Sequence, residues 1–147
     1  ALQRPLGLSF RFWRSERCLD RLNARADELL NEVGLADHRD LLAAELSYGR
    51  KRALEIATTL ALDPQMLLLD EPMAGLGRED IERISRLIQR VAQGRSVLMV
   101  EHNLSVVADL SHTITVLTRG QILTQGTYAQ VQANPEVREA YIGTGHG

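Results

Sequence analysis

Lysine is almost missing from this chain. Lys51 is the only one, and arginine supplies every other cation of the 17 Lys+Arg. Any chemistry that needs a lysine ammonium therefore rests on one position. Cysteine is as scarce. Cys18 stands alone and cannot close an internal disulfide, so a reducing compartment is expected. No apolar run approaches the ~20 residues that span a bilayer. No signal peptide is evident either, so service at a membrane would come from the cytoplasmic side through a partner. Neither sign of charge dominates: the net charge is −2, which removes the bulk electrostatic case for nucleic acid or an anionic membrane. There is no initiator methionine, and Ala1 reads as a cut or a boundary.

What remains is an ordinary globular balance. The 147 residues are 44% hydrophobic and 24% charged, enough for one domain with a core. The stretch around which the rest is organised is Met66-Leu67-Leu68-Leu69-Asp70-Glu71-Pro72. Its apolar run reads as a strand buried on both faces of a parallel sheet. It ends abruptly in two carboxylates. In open α/β sheets the C-terminal edge of the strands is where ligands bind.

Before this strand, residues 1–14 mix arginines with Phe10, Phe12 and Trp13. They read as a surface loop packed on the next helix, or as a contact for a partner or nucleic acid. Ser15 can cap a helix reaching Val33, stopped by Gly34. A short second helix is expected near Arg39–Ala44. At Leu46-Ser47-Tyr48-Gly49-Arg50 a new helix starts, with Ala53, Ile56, Ala57 and Leu60 on one face and Asp63-Pro64 as its stop. Its first turn carries Arg50, Lys51 and Arg52, although cations there oppose the helix dipole. A hydroxyl, a glycine, free N–H groups and positive charge describe an anion site. The alternative is that Lys51 pairs with Glu55 and the other cations are merely solvated.

After the strand, Met73–Gly77 is a loop, and Asp80–Gln93 is an amphipathic helix stopped by Gly94. Ser96–Val100 is a second apolar strand, ending at Glu101-His102-Asn103. Strand, helix, strand of this length is a βαβ unit. The two strands are then parallel, and Asp70, Glu71 and His102 are expected at one edge. Leu104–Ser111 is a short helix with Asn103 as a possible cap. Thr113–Leu117 and Gln121–Gln125 form a hairpin around Arg119-Gly120. Thr127 opens a helix to Ala133, Pro135 another to Tyr141, and the Gly-Thr-Gly-His-Gly end is expected to fray.

This order of features resembles the nucleotide-binding subunits of ABC transporters. Leu46–Arg50 looks like the signature motif, Met66–Glu71 like the Walker B strand with its catalytic glutamate, Ala74–Gly77 like the D-loop, and His102 like the switch histidine. The Ser-Tyr-Gly form of the signature, Leu54–Ala57 and Ala74–Leu76 look most like the ATPase subunits of branched-chain amino-acid uptake systems. The urea and amide importers are similar. Asn134-Pro135-Glu136 and Tyr141-Ile142-Gly143 suit the same subgroup. The resemblance covers about residues 15–143.

It implies an α/β fold: a P-loop NTPase-like (RecA-like) partial core with the ABC helical subdomain. Residues 1–62 would be that subdomain with the signature helix. Residues 63–126 would be the second half of the ATPase core, and 127–147 C-terminal helices and tail. It implies ATP and Mg²⁺ as ligands. Asp70 would hold Mg²⁺ through water, Glu71 would orient or deprotonate the attacking water, and His102 would sense the γ-phosphate. Ser47, Tyr48, Gly49 and Arg50 would face ATP held mainly by a second, head-to-tail ATP-binding subunit. Transmembrane permease subunits, and indirectly a periplasmic or extracellular solute-binding protein, would be partners; nucleic acid would not. The location would be cytoplasmic, peripheral on the inner face of the cell membrane.

Three departures qualify the resemblance. The Gly-Lys-Ser/Thr phosphate loop has no counterpart here, since Lys51 lies in the signature helix, so the chain is expected to be the C-terminal part of a longer subunit, inactive alone. Arg50 replaces the usual glutamine. Gly77 stands where the D-loop has Asp or Asn. These departures also fit a truncated or degenerate docking module without catalysis, and a non-transport ABC ATPase is a third reading.

Overall fold

The computed structural model describes residues 20–142. The expectations placed on residues 1–19 and 143–147, including a helix start at Ser15 and a frayed end, lie outside the described residues. The chain divides into two compact units, Ala1–Val100 and Glu101–Gly147.

In the first unit, α1 spans Asp20–Glu32. Leu22, Leu29 and Val33 repeat at helical spacing and are buried. Two 3₁₀ turns follow, Ala36–His38 and Ala43–Glu45. The short helix expected at Arg39–Ala44 is not formed. Residues 39–45 are all exposed, so no apolar face is buried there to hold a helix. Without tertiary packing so short a helix is not stable.

The next helix, α2, spans Tyr48–Leu60 and buries Gly49, Ala53, Ile56, Ala57 and Leu60. After β1 (Met66–Asp70) comes α3, Arg78–Val91, burying Ile84, Leu87, Ile88 and Val91. Both stripes follow the i, i+3, i+4, i+7 spacing that puts side chains on one helix face. α2 and α3 pack together. β2 is Ser96–Val100 and pairs with β1 in parallel, Leu68 opposite Leu98 and Asp70 opposite Val100. The βαβ unit read from the sequence is present.

The strands are not buried on both faces. Leu67 is 1% exposed, yet its neighbour Leu68 is 70% exposed and Leu98 is 56% exposed. Side chains alternate across a strand, so one face of the pair is covered and the face carrying Met66, Leu68, Leu98 and Val100 is open among the described residues.

The second unit is built on its own core. α4 is Leu104–Leu110, β3 is Ile114–Thr118, β4 is Gln121–Gly126, α5 is Tyr128–Ala133 and α6 is Pro135–Ile142. β3 and β4 pair antiparallel, with an irregularity between Val116 and Leu117. The turn residues Arg119 and Gly120 both have positive φ, +49° and +79°. That is the backbone a tight hairpin demands. Val116, Val131 and Val137 are buried together, with Ile114 and Leu123 packed against them.

Candidate functional site

Asp70 ends β1 and is exposed. Glu71, also exposed, leaves the strand in a left-handed conformation, φ +43°. Such a backbone is uncommon for a residue other than glycine and costs on the order of 1 kcal/mol. It is fixed at both ends. The Glu71 N–H donates to Val100 O at 2.9 Å, and Glu71 O accepts from the Ala74 N–H at 3.0 Å. Pro72 and Met73 behind it are buried. The strand therefore ends in a rigid turn, with adjacent carboxylates on different backbone conformations.

Among the described residues no group of three or more His, Cys, Asp or Glu side chains could hold a metal. A lone strand-end carboxylate such as Asp70 does suit Mg²⁺, which keeps several waters and is held by one or two carboxylates beside phosphates.

A second candidate region is the first turn of α2. Ser47 is its N-cap by backbone conformation, but its side chain makes no capping hydrogen bond. The hydroxyl is exposed, so it is not committed to the helix. Among the described residues, Arg52 is the one of the three cations in an ion pair: its Nη1 lies 2.7 Å from Glu55 Oε2. The alternative pairing of Lys51 with Glu55 is therefore not formed. Glu55 sits one turn from both, and the arginine takes it.

Gly49 is buried. A β-carbon built on it would overlap the carboxylate of Asp80 in the first turn of α3. Tyr48 lies over the loop after β1: a β-carbon on Gly75 would be 3.4 Å from Tyr48 Cε1. The structure thus joins Tyr48 and Gly49 to the loop after β1 and to α3. Asp80 and Gly75 were not legible as partners of this turn, since Asp80 looks like any acidic residue at a helix start. Gly77 is different. It is the N-cap of α3, its φ is −72°, and nothing lies within 4 Å of an added β-carbon. Neither backbone nor space requires a glycine there.

His102 belongs to the second unit and follows β2 by two residues. Glu101 holds the backbone on either side of it, accepting from the His102 N–H at 3.1 Å and the Asn103 N–H at 3.2 Å. Asn103 then caps α4, its Oδ1 accepting from Ser105 N–H and Val106 N–H. His102 is exposed between them.

The strand-end carboxylates and the glycine-bearing helix start stand on a cassette fold. The chain belongs to the ABC ATP-binding family. The sequence pattern described as "ABC transporter" matches residues 7–74, and "Branched-chain amino acid ATP-binding cassette transporter" matches 121–147. Among curated relatives it is similar to the high-affinity branched-chain amino acid transport ATP-binding protein LivG of Escherichia coli K12. Identity is 37% over 121 residues, 81% of this chain and 48% of LivG. It is similarly 37% identical to BraF of Pseudomonas aeruginosa, over 78% of this chain and 46% of BraF. The energy-coupling factor transporter ATP-binding protein EcfA1 of Methanospirillum hungatei is also 37% identical, over 77% of this chain and 42% of EcfA1. The fold matches the ADP conformation of MJ1267, an ATP-binding cassette of an ABC transporter. The TM-score is 0.78 at 29% identity, covering 95% of this chain and 56% of that one. The chain spans about half the length of the curated relatives it matches.

Proposed function

We propose that this chain provides the hydrolytic and partner-facing half of an ATPase subunit that drives an ABC importer, with branched-chain amino acids as the transported class. The observation that carries the reading is the end of β1, where Asp70 and the left-handed Glu71 are locked to β2 through Val100 O. Asp70 would hold Mg²⁺ through water. The metal would supply charge neutralisation to the phosphoryl oxygens. Glu71, turned out of the strand, orients the attacking water and takes its proton. His102, in the second unit, would be the residue that senses the γ-phosphate.

The first turn of α2 faces the ATP of a second ATP-binding subunit in a head-to-tail pair. Its contribution is the uncommitted Ser47 hydroxyl, the backbone N–H groups at Tyr48–Arg50 and the charges of Arg50 and Lys51. The pair docks on transmembrane permease subunits from the cytoplasmic side of the cell membrane, with a solute-binding protein on the far side. Among the described residues no helix is long and apolar enough to cross a membrane, in keeping with a docked subunit. The similarity to LivG and BraF supports the solute class. EcfA1, of an energy-coupling factor transporter, matches at equal identity.

The phosphate cradle has to come from outside this sequence, because its only lysine is in α2. Equilibrium binding of Mg-ATP tests this. Residues 1–147 alone are expected not to bind. The same chain joined to an upstream segment bearing Gly-Lys-Ser/Thr is expected to bind. An extended polypeptide that fails to bind Mg-ATP contradicts the reading.

A further inference from the structure

We infer that Asp80 is a positioning residue, whose carboxylate, seated against Gly49, ties the first turn of α2 to the loop that follows β1. Two contacts converge on that turn. Gly49 has no room for a β-carbon because the Asp80 carboxylate occupies the space. One residue earlier, the Tyr48 ring lies against Gly75, whose φ is +72°, at ordinary van der Waals distance from where a β-carbon would stand. Tyr48 is still exposed, so burial of its ring is not what keeps it there. The pins sit on the two ends of one short segment: Gly75 is in the loop, and Asp80 is in the helix that the loop enters.

The carboxylate is itself held. Asp80 Oδ1 forms an ion pair with Arg83 Nη2 one turn on, at 2.7 Å; that nitrogen is buried and makes no hydrogen bond. An aspartate has only two side-chain torsions, so a group at position 49 displaces the carboxylate and breaks its pairing together. There is also an electrostatic reason for an acid here. Arg50, Lys51 and Arg52 crowd the positive end of the α2 dipole, and a carboxylate beside Gly49 offsets them.

The consequence for function rests on the reading of α2 as phosphate-facing. The turn that faces one nucleotide and the loop behind the Asp70–Glu71 carboxylates cannot shift independently. Asp80 touches neither nucleotide nor water in this scheme; it acts through Gly49.

Backbone amide exchange of the full chain, without nucleotide, reads the clamp directly. Asp80→Ala and Gly49→Ala are each expected to raise exchange about tenfold in both segments, 48–52 and 73–80, through local opening. The double variant is expected to show no further rise, because each change removes the same contact. Glu79→Ala, the neighbouring exposed acid of the same helix turn, is expected to leave both segments unchanged. The urea midpoint is expected to stay near that of the parent. Additive effects, a rise confined to α3, an equal effect of Glu79→Ala, or a uniform rise with a fallen midpoint would each overturn the clamp. None of these outcomes depends on ATP, so failure of the extended chain to bind Mg-ATP leaves the clamp standing, and failure of the clamp leaves ATP binding standing.

Discussion

Glu71 carries the most chemistry of any residue in the proposed site, and it sits on a backbone that its side chain disfavours. At φ +43° and directly before Pro72 it is doubly restricted. Asparagine tolerates the left-handed region better than glutamate, and a β-branched residue tolerates it worse. Urea unfolding is therefore expected to rank Glu71→Asn above the parent by about 0.5 kcal/mol and Glu71→Val below it by about 1 kcal/mol or more. Equal midpoints for the three proteins would mean that the turn relaxes and stores no strain. The sequence made the two carboxylates visible, because a strand running into Asp-Glu is a plain local signal. It did not make the strain visible. A left-handed residue other than glycine is held here by a local turn bond from Ala74 and by the long-range bond to Val100, and the second is a tertiary fact.

Helices in this chain are held by their caps and apolar stripes, and the caps differ in strength. Asn103 accepts from two backbone N–H groups of α4, so Asn103→Ala is expected to cost about 1 kcal/mol in the second unit. Gly77 caps α3 with no side chain at all, in open space. Gly77→Asp is expected to gain only a few tenths of a kcal/mol, since glycine is nearly as good at that position. Thermal unfolding of the two variants checks both signs. A large gain from Gly77→Asp would show that glycine there is costly and kept for another reason. The core of α2 is stricter: Leu60 is fully buried, and Leu60→Ala is expected to cost about 2–5 kcal/mol. These stripes were legible because their 3.6-residue period is written in Ala53, Ile56, Ala57 and Leu60. The 3₁₀ turns around Ala36–Glu45 were not. Leu41, Leu42, Ala43 and Ala44 have helical composition, but composition without a buried face does not make a helix.

At the scale of the molecule, the open face of β1 and β2 is the main departure from expectation. Leu68 and Leu98 sit opposite one another and exposed, although their sequence reads as interior. An all-apolar strand states that both faces are to be covered; it does not state that the covering layer is on the same stretch of chain. Exposed paired leucines beside unpaired strand edges favour association. Sedimentation of residues 1–147 is expected to find oligomers at micromolar concentration, and Leu68→Lys with Leu98→Lys to shift them toward monomer. A monodisperse parent protein would show that this face is harmless as it stands.

The central claim is that this chain carries the hydrolytic carboxylate of a transport ATPase. Its most direct test is steady-state ATP hydrolysis by the chain joined to a phosphate-binding segment, compared with the same polypeptide bearing Glu71→Gln. The expected result is retained Mg-ATP binding with turnover lowered about a hundredfold or more, the effect of removing a general base. Hydrolysis at the parent rate in the glutamine variant would contradict the claim and move the chemistry away from the end of β1.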